Sequence, residues 1–471
     1  MELAIINTIL ITFRKKRLGI IQDGAVGIKE NKIDFVGKTS ELRTGDADEV
    51  IDGSGCVTMP GLVDAHAHTG LALLKGAAQD MPEIQWMKEG LAPFVHHMDE
   101  GDMVAGSKLG VIEGIRAGTT TFCEYARNVG TYVERIYSPF NVRVVAVETL
   151  NEVVYGKSGE RSLYEFDSSK GDVCLKKANK LVDTYLKDEM VKPCYGPQAM
   201  DMVSTDLLKE VKHRSQEDHV DIHMHVAQGE REHIQVSDRY GESTVNTLSK
   251  LDVLDERLVA IHCHDTSQEE KETMVNKGVR MVGCPSSIAM IDGIVPPVHD
   301  FLVLGTSVGL GTDQAPGPGG HNMFKEMRTA SILTKIRDRD PTRIPSWEAL
   351  RLGTQGGSEA LGMDHQIGTL EVGKAADIIT VDLRKTNLIP YVSVPFHNFI
   401  PNLIHSSAGG EVKDVIINGR PIMKNGCFTE IDEHKIIREG QKRGVKLFKK
   451  AADNWRETGN YMVKKVEKGL F

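Results

Sequence analysis

The chain has 471 residues, of which 40% are hydrophobic and 26% are charged, as in ordinary globular proteins. Its formal net charge of −9 and its lack of a long basic run argue against nucleic acid as a partner. No apolar run reaches the roughly 18 residues of a membrane span, and the seven scattered cysteines contain no Cys-x-x-Cys pair, so we expect a cytoplasmic protein with no membrane partner and no cysteine-based zinc site.

The start of the chain predicts a small β layer. Residues 1–13 are apolar but carry Glu2 and lack the basic residues of a signal peptide, so we expect them to form a strand. Strand-forming stretches follow a common pattern of apolar residues between turn signals, and they cover residues 4–12, 25–29 and 32–36.

From about residue 59 the pattern changes to helices that alternate with short buried strands. The stretch before His66 is the first of eight such strands, and the others are residues 119–123, 142–147, 192–195, 220–225, 258–262, 279–283 and 307–311. A repeat of strand and helix of this length predicts a closed (β/α)8 TIM barrel over residues 59–367, within the α/β class.

The last third of the chain returns to strands and then to helix. Neither end of the chain has enough residues to form a core alone, so we predict one composite β-sandwich domain built from residues 1–58 and 368–430. Three successive domains are the alternative. Residues 431–471 predict a helical extension whose apolar stripe packs on its own body or, alternatively, on a second subunit. We expect a homo-oligomer, a dimer or larger.

Four histidines and one aspartate lie at the carboxyl ends of predicted barrel strands, where barrel enzymes carry their reactive groups. His66 and His68 are two residues apart, so in a strand they face the same side. His225, His262 and Asp313 belong to three later strand ends. Imidazole and carboxylate ligands suit zinc, and also iron, manganese or cobalt, so we predict a site for one divalent metal ion and favour zinc.

Five motifs of the chain are distinctive, namely GLVDAHAHTG, HVAQGERE, AIHCH, GLGTDQA and GKAADIITVDL. They resemble motifs of the amidohydrolase superfamily, in the branch of the methylthioadenosine/S-adenosylhomocysteine deaminases and the triazine chlorohydrolases of atrazine type. The resemblance implies a distorted barrel with a small composite β domain and a metal ion held by His66, His68, His225 and Asp313. It also implies that metal-bound hydroxide attacks an electron-poor carbon, that Asp313 takes a proton and that His262 contacts the attacked group.

Gln228 stands where this family has a glutamate that carries a proton from the water to the leaving group. A glutamine can form hydrogen bonds there but cannot accept and release a proton. Three explanations are open: the leaving group departs without a proton, His262 or Asp313 does all the proton transfer, or the protein is inactive. Glu230 and Glu232 lie nearby in the sequence and are weak candidates to replace the glutamate.

Four residues are candidate substrate contacts. Trp86 could stack on a flat ring or be a core tryptophan. Gln198 and Ile288 stand where the family has a histidine and an asparagine, and His321 follows a glycine-rich stretch. Val95 stands near the place of an acid that binds ribose in the nucleoside deaminases. The loss of these polar contacts disfavours a polyol and favours a more apolar substrate.

The sequence therefore predicts a hydrolase of small, fairly apolar nitrogen compounds that acts on non-peptide C–N bonds and displaces an amine. A triazine- or thiocarbamate-type hydrolase that releases a halide or a thiolate is the first alternative, and Gln228 favours it. A non-catalytic barrel that keeps the metal is the second alternative, and the five retained metal-site groups argue against it.

Overall fold

The computed structural model describes residues 1–14, 17–43, 45, 47–154 and 163–470. Its strands, in chain order, are β1 Leu3–Ile11, β2 Ile20–Lys29, β3 Lys32–Lys38, β4 Glu49–Asp52, β5 Cys56–Pro60, β6 Leu62–His68, β7 Thr119–Ala126, β8 Arg143–Leu150, β9 Val191–Pro197, β10 Ile222–Val226, β11 Leu258–His262, β12 Arg280–Gly283, β13 Val308–Leu310, β14 Asp313–Gln314, β15 Ile378–Asp382, β16 Val412–Ile417, β17 Arg420–Lys424 and β18 Cys427–Phe428.

The helices are α1 Glu83–Gln85, α2 Ala92–Val95, α3 Glu100–Arg116, α4 Val129–Tyr132, α5 Ser168–Tyr185, α6 Thr205–Asp218, α7 Glu230–Tyr240, α8 Thr244–Lys250, α9 Gln268–Asn276, α10 Pro285–Ile291, α11 Val298–Leu304, α12 Met323–Asp338, α13 Ser346–Arg351, α14 Gly357–Ala360, α15 Phe399–His405, α16 Glu433–Glu457 and α17 Tyr461–Glu467. A π-helical segment, Trp86–Leu91, joins α1 to α2. No helix in the described part of the chain is long and apolar enough to cross a membrane.

Strands β6 to β13 form a parallel sheet in which neighbours along the chain are neighbours in space. The short strand β14 follows β13 and pairs with β6, with Asp313 opposite Ala67 and Gln314 opposite His68, so that the sheet closes on itself. Helices lie between successive strands. This is the arrangement of a (β/α)8 barrel, and it confirms the predicted fold class.

Apolar side chains fill the inside of the barrel below the carboxyl ends of its strands. They come from alternate positions of the strands and include Val63, Ala65, Cys123, Tyr125, Val145, Val147, Cys194, Val259, Ile261 and Val282. The intervening residues, such as Leu62 and Phe122, belong to a second cluster that packs against the surrounding helices. The barrel is therefore a packed core, and polar chemistry is confined to its carboxyl end.

The two ends of the chain share a second, mixed sheet. Its order is β18-β17-β16-β15-β5-β1-β2-β3, and β4 pairs with β1. The chain ends meet where β5 and β15 pair antiparallel, from Pro60 opposite Ile378 to Cys56 opposite Asp382. Gly61 alone separates β5 from β6, so this sheet is joined directly to the first barrel strand.

Helix α16 packs on its own body, against α2 and α3. Its Phe448 ring lies 4.7 Å from that of Phe94. Phe94 belongs to a hydrophobic cluster that also contains Leu447 and Val95. Not every apolar residue of α16 lies on this face, because Ile437 is 47% exposed. The buried face runs along positions spaced by four and seven residues, namely Ile436, Gly440, Leu447 and Ala451.

Candidate metal centre and active site

A β-bulge in β6 turns two histidines into the barrel. The register of β6 against β7 shifts between residues 64 and 67. Val63 and Ala65, which come before the extra residue of the bulge, belong to the inner apolar cluster. After it, His66 and His68 face the same interior, with ring centroids 4.8 Å apart. Without the extra residue, the alternation that buries Val63 inside would turn both histidines outward.

His262 and Asp313 reach the site through left-handed backbone conformations. Their φ angles are 72° and 60°, values that cost non-glycine residues about 1–3 kcal/mol and that concentrate at functional sites. Val259 and Ile261 are the inner residues of β11, so a regular strand would turn His262 outward. The left-handed turn instead brings its ring to 5.4 Å from that of His225.

Ligand atoms of the predicted site residues converge at this end of the barrel. Oδ1 of Asp313 lies 3.4 Å from Nε2 of His68 and 3.7 Å from Nε2 of His66. Ligand atoms of His66, His68 and His225 lie within 4.8 Å of one another, as do those of His66, His262 and Asp313. In a tetrahedral zinc site with bonds of about 2.0–2.2 Å, ligand atoms lie roughly 3.3–3.6 Å apart. The two distances from Oδ1 of Asp313 to the histidines are close to that range.

Backbone carbonyl groups orient two of the histidines. Nδ1 of His68 donates to the carbonyl of Tyr125, and Nδ1 of His225 donates to the carbonyl of Gln198. The nitrogen–oxygen distance is 2.7 Å in both hydrogen bonds. A carbonyl oxygen can only accept, so Nδ1 carries the proton in both rings and Nε2 keeps its lone pair. This is the arrangement of metal-ligating histidines, whose other ring nitrogen is usually hydrogen-bonded.

A third histidine, His66, is supported by His223. Nδ1 of His66 lies 3.2 Å from Nε2 of His223. Nε2 of His66 is buried and has no hydrogen-bond partner among the described residues. Burial and the neighbouring histidines hold the pKa of His66 well below its ordinary value, so the ring is neutral and can donate a lone pair. This unpaired nitrogen fits one divalent metal ion at the centre.

Ser287 positions the aspartate and was missed by the sequence reasoning. Its hydroxyl donates to Oδ2 of Asp313, so that Oδ1 is left for the centre. Burial raises the pKa of Asp313, but His262, His68 and this hydroxyl outweigh burial and hold the pKa below its ordinary value. In the sequence, Ser287 could be found through its position next to Ile288, a candidate substrate contact. Ile288 itself is 1% exposed in α10.

His262, the predicted contact of the attacked group, lies beside His66 and His225. It is fully buried, and neither of its ring nitrogens has a hydrogen-bond partner among the described residues. Its ring centroid lies 5.8 Å from that of His66. Burial lowers the pKa of His262 well below its ordinary value. A neutral imidazole can donate one hydrogen bond and accept another.

Gln228 follows β10 at the edge of this centre. Its backbone N–H donates to Oε2 of Glu232 over 2.7 Å. Glu232 is fully buried and also accepts from Thr244, and burial together with Asp201 raises its pKa to about 7. Glu230 is exposed at the start of α7. Of the two glutamates, Glu232 is therefore the one held beside Gln228.

The candidate substrate contacts occupy different places. Trp86 is half-buried, and its indole N–H has no partner among the described residues. Gln198 binds His225 through its backbone, and its side chain accepts a hydrogen bond from Asn151 over 2.7 Å. His321 is fully buried, with Nδ1 2.8 Å from Oγ1 of Thr312. Their contacts with a substrate, and that of Ile288, remain predictions.

The sequence of the chain identifies its family when it is compared with profiles of known families. Residues 57–422 match the sequence profile of the Amidohydrolase family. The chain belongs to this family. The predicted resemblance and the predicted hydrolase class are thereby confirmed.

Similar proteins carry hydrolytic activities. The chain is 32% identical over 440 residues to the 5-methylthioadenosine/S-adenosylhomocysteine deaminase of Pelotomaculum thermopropionicum, covering 91% of this chain and 95% of that one. A zinc-bound crystal structure of an adenosine deaminase from Xanthomonas campestris has a TM-score of 0.87 at 25% identity, covering 95% and 98%. An atrazine chlorohydrolase from Arthrobacter aurescens, complexed with zinc, has the same fold, with a TM-score of 0.81 at 20% identity and coverage of 94% and 100%.

Proposed function

We propose that this chain is a metal-dependent hydrolase that displaces a group from an electron-poor carbon of a small nitrogen-containing compound. The observation that carries the proposal is the convergence of Nε2 of His66 and of His68 on Oδ1 of Asp313, at 3.7 and 3.4 Å. Neutral imidazoles and a carboxylate at such distances are a donor set for one divalent cation.

Zinc is the ion we propose for His66, His68, His225 and Asp313, and iron, cobalt and manganese accept the same donor set. An ion held there would supply a nucleophilic hydroxide at neutral pH, because it lowers the pKa of water to about 7. The zinc bound in the crystal structure of the adenosine deaminase from Xanthomonas campestris supports this choice.

The chain's own residues perform the remaining steps of the reaction. The carbonyl groups behind His68 and His225 fix the direction of both rings, so the nucleophile is held in one place. Asp313 would hold the ion through Oδ1 while Oδ2 accepts from Ser287, and its carboxylate is the base that takes a proton from the attacking water. His262 has both ring nitrogens unpaired among the described residues and can polarise the attacked heteroatom or stabilise its negative charge.

Displacement of an amine is the reaction we favour, since deaminases are the relatives that share about a third of their residues with this chain. Gln228 favours a second candidate, displacement of a halide or a thiolate. Those groups depart without a proton, whereas an amine must be protonated, and an amide side chain cannot carry that proton. In the amine reaction the proton must come from Asp313 or His262.

We also propose the domain division predicted from the sequence, with a composite β domain of residues 1–58 and 368–430, a barrel of residues 59–367 and a C-terminal extension of residues 431–471. The pairing of β5 with β15 supports the first of these units. A cytoplasmic location and a homo-oligomer complete the proposal.

The test is a comparison of leaving groups on one ring. The zinc-loaded protein and the Gln228→Glu variant are each given three versions of the same aminopyrimidine, with an amino, a chloro or a methylthio group at the reacting carbon. Ammonia, chloride and methanethiol are measured. The proposal expects the wild-type protein to release at least one of them, and Asp313→Asn to release none.

The variant then decides between the leaving groups. If the wild-type protein releases ammonia and Gln228→Glu does so faster, deamination is the natural reaction. If ammonia appears only with Gln228→Glu while the wild type releases chloride or methanethiol, the second candidate is correct. Gln268→Glu, which adds a carboxylate on an exposed helix, controls for added charge. Metal binding without any turnover of the three compounds by either form would contradict the proposal and favour a non-catalytic barrel.

A further inference from the structure

Three ionisable side chains from separate parts of the chain converge on Gly229, beside Gln228. Glu83 lies in α1, His264 follows β11, and Asp292 follows α10. A methyl group on Gly229 would lie 3.0 Å from Nε2 of His264, 3.3 Å from Oδ1 of Asp292 and 3.6 Å from Oε2 of Glu83. The three polar groups therefore surround one point next to the reaction centre.

The same three side chains have buried polar atoms that lack partners. Oε2 of Glu83, Oδ2 of Asp292 and both ring nitrogens of His264 form no hydrogen bond within the described residues. The His264 side chain is 1% exposed and that of Glu83 is 7% exposed. An unpaired buried polar group destabilises the folded state. Several such atoms aimed at one point indicate that a polar ligand completes them.

Carboxyl groups surround Arg231 at this point. Arg231 is buried between two acids, with Nε 2.9 Å from Oε1 of Glu83 and Nη1 bonded to Asp201. Among the described residues, Arg231 interacts with Glu83, Asp201 and Glu232. Burial and repulsion from Glu83 raise the pKa of Asp292 to about 7, as expected for a carboxylate without a cation of its own. A buried carboxyl group is neutralised either by a proton or by a cation, so a positively charged ligand group would complete the cluster.

The cluster adjoins the proposed metal centre. The ring of His264 lies 6.3 Å from that of His262, which in turn lies 5.4 Å from that of His225. Asp292 is at the end of the helix whose first turn carries Ser287, the partner of Asp313. The cluster is therefore next to the proposed centre, and one small molecule could reach both.

We propose that Glu83, His264 and Asp292 form a subsite that binds a positively charged nitrogen group of the substrate, of the amidinium or guanidinium class. Such a group is planar and offers several N–H donors to the two carboxylates and the neutral imidazole. The inference rests on the proposed function, because it assigns the part of the substrate that lies away from the reacting carbon. It also modifies the apolar substrate expected from Ile288, since one end of the molecule would be cationic.

The test compares a cation with a neutral molecule of the same shape. Benzamidine and benzamide are titrated by calorimetry into the zinc-loaded full chain at pH 7.5. We expect benzamidine to bind at least tenfold more tightly. Asp292→Asn should weaken benzamidine at least fivefold and change benzamide less than twofold, with unchanged zinc content. Asp265→Asn, which removes an exposed carboxylate one residue after His264, should change neither. Glu83→Gln serves as a second variant if Asp292→Asn does not fold.

Two results would overturn the subsite: equal affinity of the wild-type protein for the two compounds, or equal losses in Asp292→Asn and Asp265→Asn. The outcome is separate from that of the proposed function. Turnover of pyrimidines without a preference for benzamidine would refute the subsite and leave the hydrolase. A preference for benzamidine without turnover of any substrate would support the subsite and refute the hydrolase.

Discussion

The hydroxyl of Ser287 donates a hydrogen bond to Oδ2 of Asp313, which leaves Oδ1 facing the imidazoles of His66 and His68. Loss of a group that orients a metal ligand typically costs 10–100-fold in metal affinity. We therefore expect Ser287→Ala to weaken zinc binding by at least about tenfold while the protein remains folded. Competition with a chromophoric chelator measures the affinity.

Ser286 provides the control for this substitution. It precedes Ser287 in the same helical turn, but its hydroxyl donates to Oγ1 of Thr329, away from the centre. Ser286→Ala should keep the zinc affinity of the wild-type protein. An equal loss in both variants would mean that the helix, and not the hydrogen bond to Asp313, holds the aspartate.

Gly229 is expected to tolerate no side chain. Its φ of 80° and ψ of −162° lie in a region that essentially only glycine adopts, and a methyl group would lie 3.0 Å from Nε2 of His264. Gly241 has a φ of 72° with nothing within 4 Å of its added methyl group. Gly229→Ala should lower the free energy of unfolding by about 1–3 kcal/mol more than Gly241→Ala, measured in urea. Equal losses would contradict the close contact.

Arg143 joins the barrel to the composite sheet. Its Nε lies 2.7 Å from Oδ2 of Asp377, and the two side chains are 1% and 2% exposed. Removing one partner of a buried pair leaves an unpaired charge and costs about 3–5 kcal/mol. Arg143→Met should lose that much stability in urea unfolding. Arg135→Met breaks an exposed pair with Glu100 and should lose at most about 1 kcal/mol.

Glu326 makes a contribution to the free energy of unfolding that should fall as the pH rises from 5 to 8. Burial raises the pKa of this carboxyl from 4.5 to about 7, and its carboxyl accepts from the backbone of Ser286. Between these values the folded state binds more protons than the unfolded state. The stabilisation is complete below pH 4.5 and is lost as the pH rises through 7.

Glu326→Gln keeps the shape of the side chain without the titration. As the pH rises from 5 to 8, the free energy of unfolding of the variant should increase by about 1–3 kcal/mol relative to that of the wild-type protein. Urea unfolding of the metal-free protein at both values measures the gain. Exposed Glu256 gives the matched control, because Glu256→Gln should leave the pH dependence unchanged. A variant that loses stability with pH as steeply as the wild type would show that Glu326 is ionised at little cost.

The barrel could be predicted because each of its strands is a short apolar stretch between helical patterns. The shared sheet followed from the small size of both chain ends, which cannot bury a core separately. The histidine pair and the later strand-end residues were likewise visible as motifs. In these cases the information lies in residue type and spacing, which the sequence displays directly.

Other parts of the site depend on backbone detail. The bulge before His66 and the left-handed turn at His262 change which way a side chain points, and strand periodicity alone would place both residues outside the barrel. The subsite around Gly229 draws on Glu83, His264 and Asp292, which are far apart in the sequence. No local pattern links them, so only the folded chain shows that they meet.

The antiparallel pair of β5 and β15 has a consequence for synthesis of the protein. Residue 60 is made long before its partner, residue 378. At about 5–20 residues per second, the edge of the early strands waits roughly 15–60 s on the ribosome for its neighbour. An exposed strand edge can pair with other chains. Production of this protein is therefore expected to depend on chaperones that cover the N-terminal strands during translation.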